Sequence, residues 1–249
     1  MNKKVLGVVL ALSLAAIIAV AAVVPALAHG NQSGDDKRGS LITFYGNGGS
    51  VFLQLPTGIP SHPTTLQIEV YDFDRRSYFG AMNVMVVYLW VPARNSPASV
   101  AICSDNPNPD FYAFAKMLFN NTPVWTPPIM PNIFQVADKE LEVRKHGDTL
   151  TANLTVPLNI TLPAPLGGSF TLPPTALEFR GIGDAFNDEG TVSLLPSPPL
   201  SGYTITMKFI GKPAWVRLWI KPWIGVFPIS FDGTLFMRAT RTYTPPPAT

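Results

Sequence analysis

Alternation of apolar and polar residues with period two runs through most of the chain. Tyr203, Ile205, Met207 and Phe209 alternate with Thr204, Thr206 and Lys208, as in a strand with one buried and one wet face. Gly211-Lys212-Pro213 interrupts the run. In residues 215–221, Val216, Leu218 and Ile220 fall on one face, and Trp215, Arg217, Trp219 and Lys221 on the other. Lys221-Pro222 turns the chain, and Phe227, Ile229 and Phe231 then alternate with Pro228, Ser230 and Asp232. Asp232-Gly233 is a hairpin-turn dipeptide. Leu235, Met237 and Ala239 finally alternate with Phe236, Arg238 and Thr240. Short strands at this spacing predict an antiparallel meander.

The preceding chain reads similarly. Residues 41–45 and 51–55 flank Gly46-Asn47-Gly48-Gly49-Ser50, the composition of a hairpin whose turn needs positive φ. Leu66, Ile68 and Val70 alternate with Gln67, Glu69 and Tyr71, and residues 72–80 form a turn. Residues 82–91 are almost wholly apolar, which predicts a central strand covered on both faces. Residues 92–109 read as irregular. Asn108-Pro109 is an N-cap followed by proline at the first helical position, and Phe111, Phe114, Ala115 and Leu118 mark one face of a helix ending near Phe119. Residues 141–145 are a strand and His146-Gly147-Asp148 a turn. The alternation over 149–163 is unbroken, but its prolines place it at a sheet edge or break it at Pro157. Residues 170–172, 176–180 and 191–195 are further short strands.

These elements predict an all-β fold, an antiparallel β-sandwich or distorted barrel of roughly 10–14 strands with one short helix and Pro-rich loops. The expected organisation is a leader at 1–28, a flexible segment at 29–40, a single all-β domain at 41–244 and a disordered Pro-rich tail at 245–249. The leader assignment rests on Lys3 and Lys4, an uncharged apolar run from Val5 to Val24, and the small-residue site Ala26-Leu27-Ala28. The run is long enough to serve instead as an uncleaved anchor. In either case the domain is expected to be secreted or at an extracytoplasmic cell surface, meeting membrane only through that segment.

Charge sharpens the picture. The chain carries 18 Lys+Arg against 16 Asp+Glu; without the leader's two lysines the balance is even, which gives no basic footprint for nucleic acid. Charged residues are only 14% and prolines number 26, which suits an extracellular β-protein with stiff loops rather than a helical cytosolic enzyme. Cys103 is the sole cysteine, so no internal disulfide staples the fold. Its simplest role is that of a small buried hydrophobe, with an intermolecular disulfide as the alternative.

Several groups are candidates for chemistry. Asn31, Asn120, Asn153 and Asn159 open glycosylation sequons; the last two share the polar face of one predicted strand. Asp184, Asn187, Asp188 and Glu189 lie in a predicted loop between Gly183 and Gly190, with oxygen ligands that suit calcium. Asp72 and Asp74 supply a second oxygen pair. Val70-Tyr71-Asp72-Phe73-Asp74-Arg75 resembles the calcium-loop segment of C2 domains, which implies calcium at Asp72 and Asp74. A C2 domain would carry a further acid where this chain has Ser77-Tyr78-Phe79, and acids in an earlier loop where Gly46–Ser50 has none.

Catalytic constellations are not evident. His29, His62 and His146 stand apart, and no HExxH or GxSxG occurs. A carboxylate-dependent hydrolase would draw on Glu69, Glu178, Asp184 or Glu189. The strip Trp215, Arg217, Trp219 and Lys221, with Trp223 beyond, has the residue types that stack on sugars and populate interfaces; if wet, it is a binding face, and if covered by a second layer, it is core. The expected function is therefore a non-catalytic surface protein acting through binding or assembly, its partner a second subunit, a surface polymer or a glycan. The edge expected at 149–163 offers strand pairing for assembly. The alternative is a carrier of an apolar ligand, such as a lipid, in a barrel cavity of several hundred Å3.

Overall fold

The computed structural model describes residues 41–54, 65–90, 98–120, 131–162, 167–193, 204–220 and 229–244. The leader, residues 29–40, the proline-rich loops with His62 and Trp125, Lys221, Trp223 and the tail lie outside them. The described chain is almost entirely strand with one helix, and its strands form a large sheet and a small one. This is the distorted sandwich or barrel expected from the alternation.

The large sheet runs in the order β5 (Asn132–Gln135), β4 (Ser99–Ser104), β3 (Met82–Trp90), β2 (Thr65–Phe73), β1 (Ile42–Gln54), β13 (Ile229–Thr244), β12 (Thr204–Ile220), β10 (Thr175–Gly181), β7 (Thr149–Leu154) and β6 (Leu141–His146). β11 (Phe186–Ser193) pairs with the first half of β12, and β8 (Leu158–Thr161) with β9 (Ser169–Leu172) makes the small sheet. Pairing is antiparallel except between β4 and β5. Parallel neighbours need a crossover, and helix α1 (Pro109–Asn120) lies in that connection.

Two apolar cores occupy opposite faces of the large sheet. The first lies inside a curl that brings β6, β7 and β10 over β1, β2 and β3. Leu66, Ile68 and Val70, with Met85 and Val87, meet Leu150, Phe179 and Val216 there. The inside of the curl is filled by side chains, with Met85, Leu89, Leu141, Leu150 and Phe179 wholly buried. The curl is closed partly by a side chain, because the Val143 N–H at the free edge of β6 donates to Asn83 Oδ1 of β3 at 3.1 Å. The second core lies on the outer face, where α1 packs Phe111, Phe114 and Ala115 onto Phe44, Phe73, Val84 and Tyr243. β3 is therefore apolar on both faces, as its composition predicts.

Several local readings are corrected. In place of the hairpin read over 41–55, Ile42–Gln54 form one strand, β1. Large rings lie flat against the glycines of β1 from both sides. A Cβ on Gly48 would stand 2.4 Å from Val70 O and 2.9 Å from the Tyr71 ring, and one on Gly49 would stand 2.7 Å from the Phe179 ring. These glycines serve close approach rather than turning. Within the predicted meander at 201–244, the described residues likewise form two long strands, β12 and β13, instead of four short ones. Gly211-Lys212-Pro213 and Asp232-Gly233 pair within the β12–β13 ladder. β13 holds one extra residue against both neighbours near Met237, a bulge that turns Phe236 and Ala239 to the same outer core while Leu235 faces the inner one. The alternation of Ala239 with Phe236 is thus broken.

Residues 92–109, read as irregular, contain the buried strand β4. Residues 149–163 break around Pro157 into β7 and β8. β7 is interior, flanked by β6 and β10, so it is not the exposed edge expected for assembly. The helix holds as read. Asn108 Oδ1 accepts from the Asp110 N–H at 2.9 Å as N-cap, and Tyr112 donates to Ser104 O at 2.9 Å. Asn132 joins the small sheet to β5 by exchanging two hydrogen bonds with the Thr161 backbone.

Candidate binding face

The outer face of the sheet is roofed by α1 on one side only. Over β12, β10, β7 and β6 the residues that alternate with the inner core point away from it. Ala214, Val216 and Leu218 face inward and Trp215, Arg217 and Trp219 outward. Register then fixes three rows across the strands. The first is Trp215, Arg180, Thr149 and His146; the second Arg217, Glu178, Thr151 and Arg144; the third Trp219, Ala176, Asn153 and Glu142. Asp232 of β13 lies opposite Trp215 and extends the first row.

This face is wet. Trp215 is 58% exposed, Arg217, Arg180, Asn153 and Arg144 are exposed, and Trp219 and Glu178 are half-buried. The two indoles stand four residues apart on one strand, about 13 Å along it at the usual rise, with the Arg217 guanidinium between them. Arg217 lies 3.8 Å from Glu178, and Arg144 pairs with Glu142. The arginines at 144, 180 and 217 are offset by acids at 142, 178 and 232. The surface therefore combines flat aromatic area and many hydrogen-bonding groups with little net charge. Lys221 and Trp223, the remaining members of the predicted strip, lie outside the described residues.

The acidic candidates are dispersed. Asn187, Asp188 and Glu189 belong to strand β11 and not to a loop. They line an open hollow of about 420 Å3 together with Lys208 and Arg238, and Glu189 pairs with Lys208 at 2.6 Å. Asp184 is exposed in the turn before β11. Asp72 sits within β2, where burial and the neighbouring Asp74 and Asp105 carboxylates raise its pKa above the ordinary range. Asp74 binds Arg76 through both oxygens, at 2.6 Å for the closest contact, which holds its pKa down. Among the described residues no three of His, Cys, Asp and Glu come together as ion ligands.

Asn153 and Asn159 are both exposed, on β7 and β8 in different sheets and not on one strand. The Asn120 side chain and Asn31 lie outside the described residues. Cys103 is wholly buried in β4, and burial pushes its thiol up to about 12, so it stays protonated and inert. His146 is exposed in the β6–β7 hairpin.

Sequence reasoning missed an internal polar cluster on the roofed side. Glu69, wholly buried on β2, accepts from Gln67 Nε2 at 2.9 Å and from the Tyr71 hydroxyl at 3.0 Å. Arg241 of β13 donates to the Tyr71 oxygen at 3.2 Å and lies over its ring. Desolvation raises Glu69 from 4.5 to about 7, against the opposing pull of the Arg241 charge and the hydrogen bonds from Tyr71 and Gln67. The alternation at 66–71 marks Gln67, Glu69 and Tyr71 as one face, but Arg241 comes from 170 residues further along, and no spacing signals that encounter.

No family model and no curated protein matches the chain. Among solved structures, one from Nitrosomonas europaea titled a "putative AttH" is similar at 11% identity and a TM-score of 0.24, over 85% of this chain and 53% of that one. The chain thus spans about half the length of that structure. A likeness this slight bears on neither fold nor function.

Proposed function

We propose that this is an extracytoplasmic, non-catalytic binding protein whose bare outer face, centred on Trp215, engages an uncharged surface glycan. The observation that carries the reading is the 58% exposure of Trp215 in the middle of an ordered ladder, where a side chain of that size forfeits apolar burial. Indole rings stack on the apolar faces of sugars, and the flanking Arg180, Arg217, Glu178 and Asn153 offer donors and acceptors for hydroxyls. The even mixture of charge disfavours a polyanion, since neutralising phosphates or anionic headgroups calls for a basic surface. Export rests on residues 1–28, whose charge and apolar pattern are those of a leader.

The test is binding to a panel of neutral and acidic polysaccharides by affinity electrophoresis and calorimetry, with Trp215→Ala alongside. The expected result is retention on at least one neutral glycan, weakened at least tenfold in the variant. Should the protein ignore every glycan but form a dimer in light scattering that Trp215→Ala dissolves, the face serves self-assembly and the glycan reading falls. Absence of both behaviours removes the face from the account of function.

A further inference from the structure

The roofed half of the outer face contains a cavity that the proposed glycan face does not use. It measures about 50 Å3 and lies between α1 and the sheet, room for a few water molecules or a short apolar chain. Its walls are rings and branched aliphatic side chains, chiefly Phe44, Phe73, Val84 and Val86 from the sheet and Phe114 and Ala115 from α1. One cation interrupts this lining. Arg241 is half-buried as a residue, whereas every other lining residue is buried, and its guanidinium end is desolvated among Tyr71 and Met207.

Arg241 is not served by its surroundings as a buried arginine usually is. Its contacts are the Tyr71 hydroxyl at 3.2 Å, the Met207 sulfur at 3.5 Å, the Tyr71 ring and the Tyr243 hydroxyl, none of them a carboxylate. Its ion-pair partners among the described residues number none, although a guanidinium carries five donors shaped for a carboxylate. The polar cluster behind Arg241 extends to β3. The Tyr88 hydroxyl is wholly buried, near enough to Glu69, Tyr71 and Arg241 to feel their charges, and has no hydrogen-bond partner. Gln67 Oε1, on the residue paired with Tyr88 across the ladder, is also unpartnered. Buried polar atoms are seldom left this way; Tyr88 and Gln67 do not line the cavity but belong to the polar cluster behind Arg241, which is therefore incompletely paired.

We infer that this cavity is a binding site for a short aliphatic monocarboxylate, its chain among the Phe44, Phe73 and Phe114 rings and its carboxylate at Arg241. A carboxylate supplies the missing counter-charge, and an aliphatic chain matches the dry walls. Glu69 sets the charge of the site. When it carries its proton, the cluster holds the Arg241 cation alone and attracts an anion. When it ionises, the cluster is neutral and attraction weakens. The other titratable groups facing the cluster are Tyr71, Tyr88 and Tyr243, all held above their ordinary range by burial, so they stay neutral and leave Glu69 as the switch.

The full chain is titrated by calorimetry with straight-chain carboxylates of about two to four carbons, the size that a cavity of about 50 Å3 admits, and with the matching alcohols. The expected result is saturable binding of at least one acid, at least tenfold tighter than its alcohol and tighter at pH 6 than at pH 8. Arg241→Gln removes the acid-over-alcohol preference, while Arg241→Lys keeps part of it. Ala115→Leu, which fills the cavity from the helix and leaves Arg241 in place, abolishes binding with thermal unfolding still cooperative. Glu69→Gln erases the difference between the two pH values. Trp215→Ala leaves acid binding unchanged, which separates this site from the glycan face. The inference is overturned if no acid binds at millimolar concentration, if alcohols bind as tightly as acids, or if Ala115→Leu binds like the parent.

Discussion

Over β4, β3, β2, β1 and β13 the outer face of the sheet presents Ile102, Val84, Phe73, Phe44 and Tyr243, and α1 seals them. Over β12, β10, β7 and β6 the same face presents Trp215, Arg217, Arg180, Thr151 and Arg144 to solvent. Both halves share a single hydrogen-bonded ladder, and strands β12 and β13 are long enough to run through both. The difference lies in the outward side chains alone. A face that gains a second layer needs rings and aliphatics to bury, whereas a face left wet keeps charges and amides that stay solvated. Only Trp215 and Trp219 depart from that division, which is why they carry the functional reading.

The comparison breaks most sharply at Phe114. Its ring lies within 5.3–5.9 Å of Tyr243, Phe79 and Phe44. Phe114→Ala is therefore expected to cost about 3–5 kcal/mol in urea unfolding, while Trp215→Ala on the bare half changes stability by no more than about 0.5 kcal/mol. Equal losses at the two sites would mean the bare face is covered in solution.

Burial of Glu69 gives the next largest effect. Its folded pKa of about 7 lies above the ordinary 4.5, so the folded state binds more protons than the unfolded one in between. Stability from this group is fully present below pH 4.5 and is lost as pH rises through about 7. A shift of that size corresponds to about 3 kcal/mol. Glu69→Gln should accordingly be more stable than the parent at pH 8 by up to that amount and close to it near pH 4.5. Denaturant midpoints measured across pH check this, and parallel curves for the two proteins would contradict it.

Smaller effects sharpen the contrast. Asn108→Ala removes the cap of the roofing helix and is expected to cost about 1 kcal/mol, with protection of the α1 amides in hydrogen exchange falling first. At the low end, Arg217→Ala breaks an exposed pair at 3.8 Å from Glu178 and should cost about 0.5 kcal/mol or less, with any loss appearing in glycan binding instead. A stability loss several times larger would show that Arg217 supports the fold.

Much of the architecture is legible along the chain because strand alternation is local. The central position of β3, the capped helix at Asn108-Pro109, the break near Pro157 and the shared face of Trp215, Arg217 and Trp219 all follow from neighbours a few residues apart. Punctuation residues mislead where tertiary contacts give them another use. Gly46 to Gly49 read as a turn because glycine permits positive φ, yet here they make space for Tyr71 and Phe179 against the backbone. Asp232-Gly233 reads as a hairpin, yet both residues pair with β12 and Gly233 pairs with β1 as well. β4 was invisible, since six residues between irregular flanks carry little period.

Sequence by itself determined that this chain would form strands, which side chains would share a face, and that a tryptophan–arginine strip would lie along one of them. Whether that strip would be wet, and that Arg241 would meet Tyr71 and Glu69 beside a small cavity, was decided only by the tertiary structure. Alternation fixes which residues share a face because it depends on bonded geometry. What covers a face depends on which distant segment packs there, and a single helix roofs only part of so wide a sheet.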